Sequence, residues 1–414
     1  MEMKRNNILL ITFLLAASAE AQELTFQSFL NQVKEKNISY IAEKYNVDIA
    51  DANVQAARVF NDPELSVSYS NNQDHTMQMG QSYEGELSYS LPLANVRGAR
   101  IGVSKAEKDV ADASVADFFA GLKADASLCY YNALKQQCCV ELLRSTYEQM
   151  NQLAVSDSLK LAIGEGTQTD ALQSRLEAQT MYNDYLQAEA ELRNTLTNLS
   201  VLMGDKELRG IGTLEENWEA GQPLSNIDNL LLEAENNRAD LMTAIHEKTL
   251  SEQNLRLVKA NRALELGLSL GFAHNTIVEN EIAPAPRHNS VSIGVSVPLK
   301  FSNHNKGEVR AAKAAIEQSQ ATVEAIRMQI RSEVMQAYNS FLASEKIARR
   351  FSTQMVEDAN TILKNKVTGY KQGETSLIEV LDAQRTFNEV SESYYESLCN
   401  AAVARVELER AIGR

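Results

Sequence analysis

Apolar and polar residues alternate one by one in four short stretches of the chain. In the first, Leu65, Val67 and Tyr69 fall on one side and Ser66, Ser68 and Ser70 on the other. In the second, Tyr83, Leu87, Tyr89 and Leu91 alternate with Glu84, Glu86, Ser88 and Ser90. Leu266, Leu268, Leu270 and Phe272 make the apolar side of the third. Val291, Ile293, Val295 and Val297 make that of the fourth, against Ser292, Gly294 and Ser296. A period of two predicts β-strands with one face toward an apolar medium and the other toward water. The intervening residues 71–82 and 273–289 are polar or carry Pro284 and Pro286, so they predict loops. Two hairpins follow, at about 64–91 and 264–298.

A different period governs the rest of the chain. Ile316, Val323, Ile330 and Ala337 recur at heptad steps, with Ile326, Val334 and Phe341 on the second seam. That is a coiled-coil pattern. The stretch 97–163 has few helix breakers and, at 1.5 Å per residue, predicts a helix about 100 Å long. Gly164 and Gly166 interrupt one long helical pair, and Gly369 and Gly373 interrupt another. Glycine suits a helix stop. Thr167 and Thr169, then Thr375 and Ser376, suit the restart of a helix.

These elements recur in the same order at an offset of roughly 200 residues, which predicts a duplicated chain. Glu64-Leu65-Ser66 matches Glu265-Leu266-Gly267, Leu91-Pro92-Leu93 matches Val297-Pro298-Leu299, and Asp170-Ala171-Leu172 matches Glu379-Val380-Leu381. The first repeat spans 22–204, with a helical tip near 164–169. A linking segment follows at 205–226, rich in glycine. The second repeat spans 227–414, with its tip near 369–376. Each repeat reads helix, hairpin, long helix, turn, long helix, and the expected fold class is mixed and mainly α.

Composition narrows the function. The formal net charge of -15 argues against nucleic acid as a partner. It leaves open simple solubility or an acidic lumen that favours cations. Lys4 and Arg5 precede an apolar run at 8–17, and Ala19-Glu20-Ala21 fits a signal peptidase site. Residues 1–21 therefore predict an export signal cut before Gln22. The later sequence offers no apolar run long enough for a transmembrane helix. Cys129, Cys138, Cys139 and Cys399 are too few for a disulfide framework. They read as buried thiols on helices, with a Cys129–Cys399 bridge as the alternative. No metal spacing, cofactor motif or catalytic constellation stands out, and His75, His274 and His288 lie in or beside the predicted loops. The chain is not expected to be an enzyme.

At residues 367–385 the sequence resembles the TolC-type outer membrane factor family. The Tyr370-x-x-Gly373 turn and the Glu379-Val380-Leu381-Asp382-Ala383 run resemble that family's periplasmic tip. The resemblance implies a homotrimer. Each protomer would give four strands to a twelve-stranded barrel in outer membrane lipid and its helices to a periplasmic α-helical barrel. It implies passive conduction, with a periplasmic adaptor (a membrane fusion protein) at the tip turns Gly164, Gly166, Gly369 and Gly373. An inner membrane pump, expected to be proton-driven, would supply the energy. Family gate positions fall on Tyr370 and its partner Asp170, and family acidic rings fall on Glu379 and Asp382. Acids at Asp170 and Glu379 also suit helix capping, and the two roles are compatible. The sequence departs from the family where Thr375 stands in place of a gate arginine, and where Ala263 lies near a position usually held by proline. Efflux of small molecules or metal ions is the expectation. The alternatives are an exit duct for ATP-driven type I protein secretion, or a periplasmic coiled-coil adaptor, which would lack the two hairpins.

Overall fold

The computed structural model describes residues 23–71, 78–208, 211–218, 226–299, 306–351 and 353–414. The predicted export signal, Gln22 and His75 lie outside the described residues, as do parts of the predicted linking segment. In chain order the elements are α1 (Phe26–Lys36), α2 (Ile38–Ala57), β1 (Glu64–Asn71), β2 (Gln81–Pro92), α3 (Val96–Ala162) and α4 (Gln168–Leu202). They continue with α5 (Ile227–Asn237), α6 (Ala239–Asn261), β3 (Glu265–Asn275), β4 (His288–Ser296), α7 (Lys306–Arg350), α8 (Thr353–Gln372) and α9 (Leu377–Ala411). The strands and tip turns fall where the alternation and the glycines place them.

The long helical stretch of the second half differs from expectation. α3 runs unbroken for 67 residues. Its counterpart is divided into α7, which ends at Arg350, and α8, which begins at Thr353. No glycine or proline marks that break, and nothing in the sequence pattern explains it.

The chain packs as two units. One unit holds Ile38–Ala124, Gln222–Leu342 and Ala404–Arg414. It contains the sheet, in which β1, β2, β3 and β4 are neighbours in that order and all antiparallel. The registers align like with like. Leu65, Leu87, Leu270 and Ile293 form one transverse row, and Val67, Gly85, Phe272 and Val291 form the next. On the opposite face Ser66, Glu86, Gly271 and Ser292 share a row, beside Ser68, Glu84, Ala273 and Ser290. The apolar face is not covered by the protein, since Val67 is 79% and Ile293 82% exposed. The polar face is crowded. A Cβ on Gly267, Gly271 or Gly294 would come within 2.2, 2.4 or 2.5 Å of the hydroxyl of Ser296, Ser292 or Ser269. On the apolar face a Cβ on Gly85 would meet nothing within 4 Å. The sheet is thus tighter on its polar side.

The helical core of this unit follows the heptad seam. Val323, Ile330 and Val334 of α7 are buried with Leu230 and Ala234 of α5, Leu241 and Ala244 of α6, and Leu408 and Ile412. Ile326, Ala337 and Phe341 pack against that cluster. Arg238, in the elbow between α5 and α6, is largely buried. It grips Asp240 through Nε and Nη2 at 3.0 and 2.6 Å and reaches Glu333 at 2.5 Å. A buried guanidinium needs such partners to offset its desolvation.

The other unit joins α1 to Asp125–Gly221 and Ala343–Val403. Phe26, Phe29, Tyr130 and Tyr131 form an aromatic cluster in it, tilted or edge-on to one another with ring centroids 5.1 to 5.8 Å apart. The Tyr130 hydroxyl donates to the Leu24 carbonyl at 2.9 Å. Gln137 clamps Leu214 at both ends, accepting from its N–H at 2.8 Å and donating to its carbonyl at 3.0 Å. These side-chain bonds fix the backbone of the segment after α4. All four cysteines are free thiols, and the Cys399 thiol lies 3.6 Å from the Tyr131 carbonyl oxygen. The alternative Cys129–Cys399 bridge is therefore not formed in this structure.

Candidate gate at the helical tips

Both tips end their first helix in the same way. Gly164 and Gly373 each have φ of +80°, the left-handed region that glycine enters without a Cβ penalty. Glu165 N–H donates to Lys160 O and Gly164 N–H to Leu161 O. Glu374 N–H donates to Gly369 O and Gly373 N–H to Tyr370 O. These paired bonds are the Schellman closure, and they satisfy carbonyls that the helix end would orphan. Gly166 and Gly369 do not adopt positive φ. Their role is space: a Cβ on Gly166 would lie 3.1 Å from Leu161 N, and one on Gly369 3.1 Å from Thr375.

The second helix of each tip begins at a hydroxyl cap. Thr167 accepts from the Asp170 N–H at 3.0 Å. Ser376 Oγ accepts from the Glu379 N–H at 3.4 Å, while the Glu379 carboxylate accepts from the Ser376 backbone N–H at 3.5 Å. That reciprocal pair is a capping box. Glu379 also meets Lys366 at 2.5 Å. The Lys366 hydrogen bond and the capping contacts hold its carboxyl below the usual range. The Glu379 side chain thus takes part in capping its helix, whereas at Asp170 only the backbone N–H meets the cap.

Tyr370 does not bond Asp170. Its hydroxyl donates to Asp157 Oδ1, in α3, at 3.1 Å. The sequence resemblance pointed at an acid just after the tip glycine, whereas the phenol reaches back to an acid before it. Asp157 is only 3% exposed, and Ser174 beside it is fully buried. Burial pushes the Asp157 carboxyl up and Asp170 adds to the rise. Ser174, Tyr370 and Lys160 pull it down, and burial prevails. The Ser174 hydroxyl is close enough to exert that pull, yet neither its Oγ nor Asp157 Oδ2 completes a hydrogen bond. Burial, with the charge of Asp157 behind it, pushes the Tyr370 phenol up as well. The ammonium of Lys160 lies over the Tyr370 ring, 5.0 Å from its centroid.

Asp157 is marked by its place in the sequence pattern of α3. Met150, Leu153 and Ala154 form a buried stripe on α3, and Asp157 occupies its next position. A lone acid on an apolar stripe demands a partner. Around it Ala178, Met181, Leu377 and Val380 complete the cluster, with Val367, Tyr370 and Leu381 packed against it.

Glu379 and Asp382, three residues apart on α9, line one cavity of 440 Å³ together with Asp358 and Lys366. Met355, Ala359 and Ile362 of α8 add apolar surface to its lining. Among the described residues no cluster of three or more metal-ligating side chains occurs, and no helix is long and apolar enough to cross a membrane.

Comparison with known proteins places this geometry. Residues 230–414 match the model of the outer membrane efflux protein family. The chain is 22% identical to the cobalt-zinc-cadmium resistance protein CzcC of Cupriavidus metallidurans over 95% of its own length and 91% of that protein. It is 21% identical to outer membrane protein TolC of Vibrio cholerae, over 92% of this chain and 89% of that one. Its fold superposes on the Neisseria gonorrhoeae MtrE outer membrane channel with a TM-score of 0.71 at 16% identity, covering 94% of this chain and 88% of that one. The Vibrio relative is thus named an outer membrane protein and the Neisseria structure an outer membrane channel. An outward-facing apolar sheet, paired helical tips closed on left-handed glycines, and these similarities together make the chain resemble the outer membrane efflux protein family, whose model its residues 230–414 match.

Proposed function

We propose that the protein is the outer membrane channel subunit of a tripartite efflux system. Three copies would form a passive duct, receiving substrate from a periplasmic adaptor and a proton-driven inner membrane pump. The sheet carries this reading. It has four strands, an uncovered apolar face, and outer edges at β1 and β4 that pair with no further strand among the described residues. Lipid tolerates a sheet only when every edge is paired, and membrane barrels need about eight strands or more. Four strands from one chain fall short, and three copies supply twelve. The polar Ser, Gly and Glu face would line the lumen. The tip turns at Gly164, Gly166, Gly369 and Gly373 would receive the adaptor.

The cargo reading, small molecules or metal ions, leans on the family description and on the resistance named for the Cupriavidus relative. Two measurements test the proposal. The mass of the detergent-solubilised protein should correspond to three copies, and a stable folded monomer in lipid would overturn the architecture. Affinity isolation from membranes should bring down a proton-driven pump. Recovery of an ATP-driven exporter instead would assign the duct to protein secretion.

A further inference from the structure

The two helical tips share one plan and differ in one charge. Lys366 stands seven residues before the tip glycine Gly373 and Glu379 six after it, and the two side chains meet at 2.5 Å. The same two places around Gly164 are held by Asp157 and Asp170. Where the second tip closes its own ion pair, the first sets two acids. Asp157 is buried, its Oδ1 is held by Tyr370, and its Oδ2 has no partner. The groups that face it are Lys160 on its own helix, Asp170 and Ser174 on α4, and Tyr370 on α8. α9 contributes Leu377, Val380 and Leu381 to the neighbouring apolar cluster, and none of the charged groups that act on Asp157 comes from it. Lys160 is shared with the Tyr370 ring, so it does not neutralise the carboxylate alone.

We propose that Asp157 is the proton-binding group of the gate, holding α3 to α8 through Tyr370 when protonated and loosening that hold when ionised. A proton taken from bulk water onto Oδ2 gives the carboxyl a donor for Ser174 Oγ, the neighbour that lacks a hydrogen bond. The Tyr370 hydroxyl still donates to Oδ1, now without a buried charge between the helices. Loss of the proton to water leaves a charge buried between the helices, and such a group costs free energy until it reaches solvent. Burial raises the Asp157 carboxyl in the closed tip above its ordinary value. The closed tip therefore binds the proton more tightly than an opened, hydrated one. Closure gains as pH falls through the raised value and is lost as pH rises through it.

This inference rests on the channel reading, and one experiment separates the two. The conductance of the full-length protein in a planar lipid bilayer is recorded from about pH 4 to about pH 8. Wild type should conduct more as pH rises. Asp157→Asn, neutral at every pH, should flatten that profile at the low-conductance end. Asp170→Asn, which removes a nearby like charge but leaves Asp157, should move the midpoint to lower pH. Lys366→Gln, in the second tip, should leave the midpoint in place. A wild type that conducts at no pH overturns the channel reading itself. A conducting wild type without pH response, an Asp157→Asn profile matching wild type, or an unmoved midpoint in Asp170→Asn overturns the proton site alone.

Discussion

Gly204 closes α4 with its α-carbon pressed against Lys36. A Cβ at that position would lie 2.2 Å from the Lys36 carbonyl oxygen, and the backbone there has φ of +70°. The second repeat places Gly413 in the same relation to the elbow between α5 and α6: φ is +77° and the Asn237 carbonyl carbon would be 2.9 Å away. Each elbow rests on a helix end that only glycine can form.

Gly204→Ala should therefore destabilise the protein. The left-handed backbone alone costs roughly 1–2 kcal/mol for a residue with a Cβ, and the Lys36 backbone must shift as well. Gly121→Ala, inside α3 where a Cβ would meet nothing within 4 Å, is the control. It should be neutral or gain about 0.5–1 kcal/mol. Thermal unfolding of the detergent-solubilised protein checks both.

The sheet register makes a paired prediction. Leu268 lies opposite Tyr89 and Val295 on the apolar face, and Ser292 lies opposite Gly271 on the polar face. Leu268→Arg should cost about 2–4 kcal/mol near the membrane midplane and lower the yield of inserted protein. Ser292→Arg should be milder, because its side chain would enter the aqueous lumen. The reverse order would mean that the faces are assigned the wrong way round.

The acids of the α9 cavity should not contribute equally. Glu379 is engaged by Lys366, whereas the exposed Asp382 has no ion-pair partner among the described residues. Asp382→Ala should therefore reduce cation preference and block by trivalent cations more than Glu379→Ala does. Reversal potentials under a salt gradient report the preference, and titration with a trivalent cation reports the block.

Glu392 is raised by burial, with Glu389, Asp184 and Glu396 adding like charge. A carboxyl whose folded value is raised destabilises the fold above that value, and the penalty fades as pH falls toward the unfolded value. Glu392→Gln should thus increase resistance to urea at neutral pH, and the gain should vanish in acid. A gain that persists unchanged at low pH would point to a cause other than ionisation.

Local pattern carried the strands, the heptad seam and the tip turns. Val67 and Ser68 reveal opposite faces by alternation alone, and Gly164 and Gly373 announce the left-handed stops they form. Long-range pairing was less legible. Tyr370 and Asp157 are brought together only when α8 packs beside α3, and the tip motif drew attention to Asp170 instead. Burial, which gives Asp157 its character, is a property of four packed helices and not of its neighbours in sequence. The division between α7 and α8 left no trace in composition, because no breaker residue lies there.

The return helices α4 and α9 are 35 residues each, and both run from just after one left-handed glycine to just before another. Equal struts constrain how such a chain can change length. One residue added to either would turn everything beyond it by about 100°, swinging the buried stripe into solvent and lifting the end glycine from its elbow. A heptad preserves the apolar stripe without local unwinding, and the helix packed against the strut then needs the same addition. The reach of the duct is thus inherited in steps, two helices at a time.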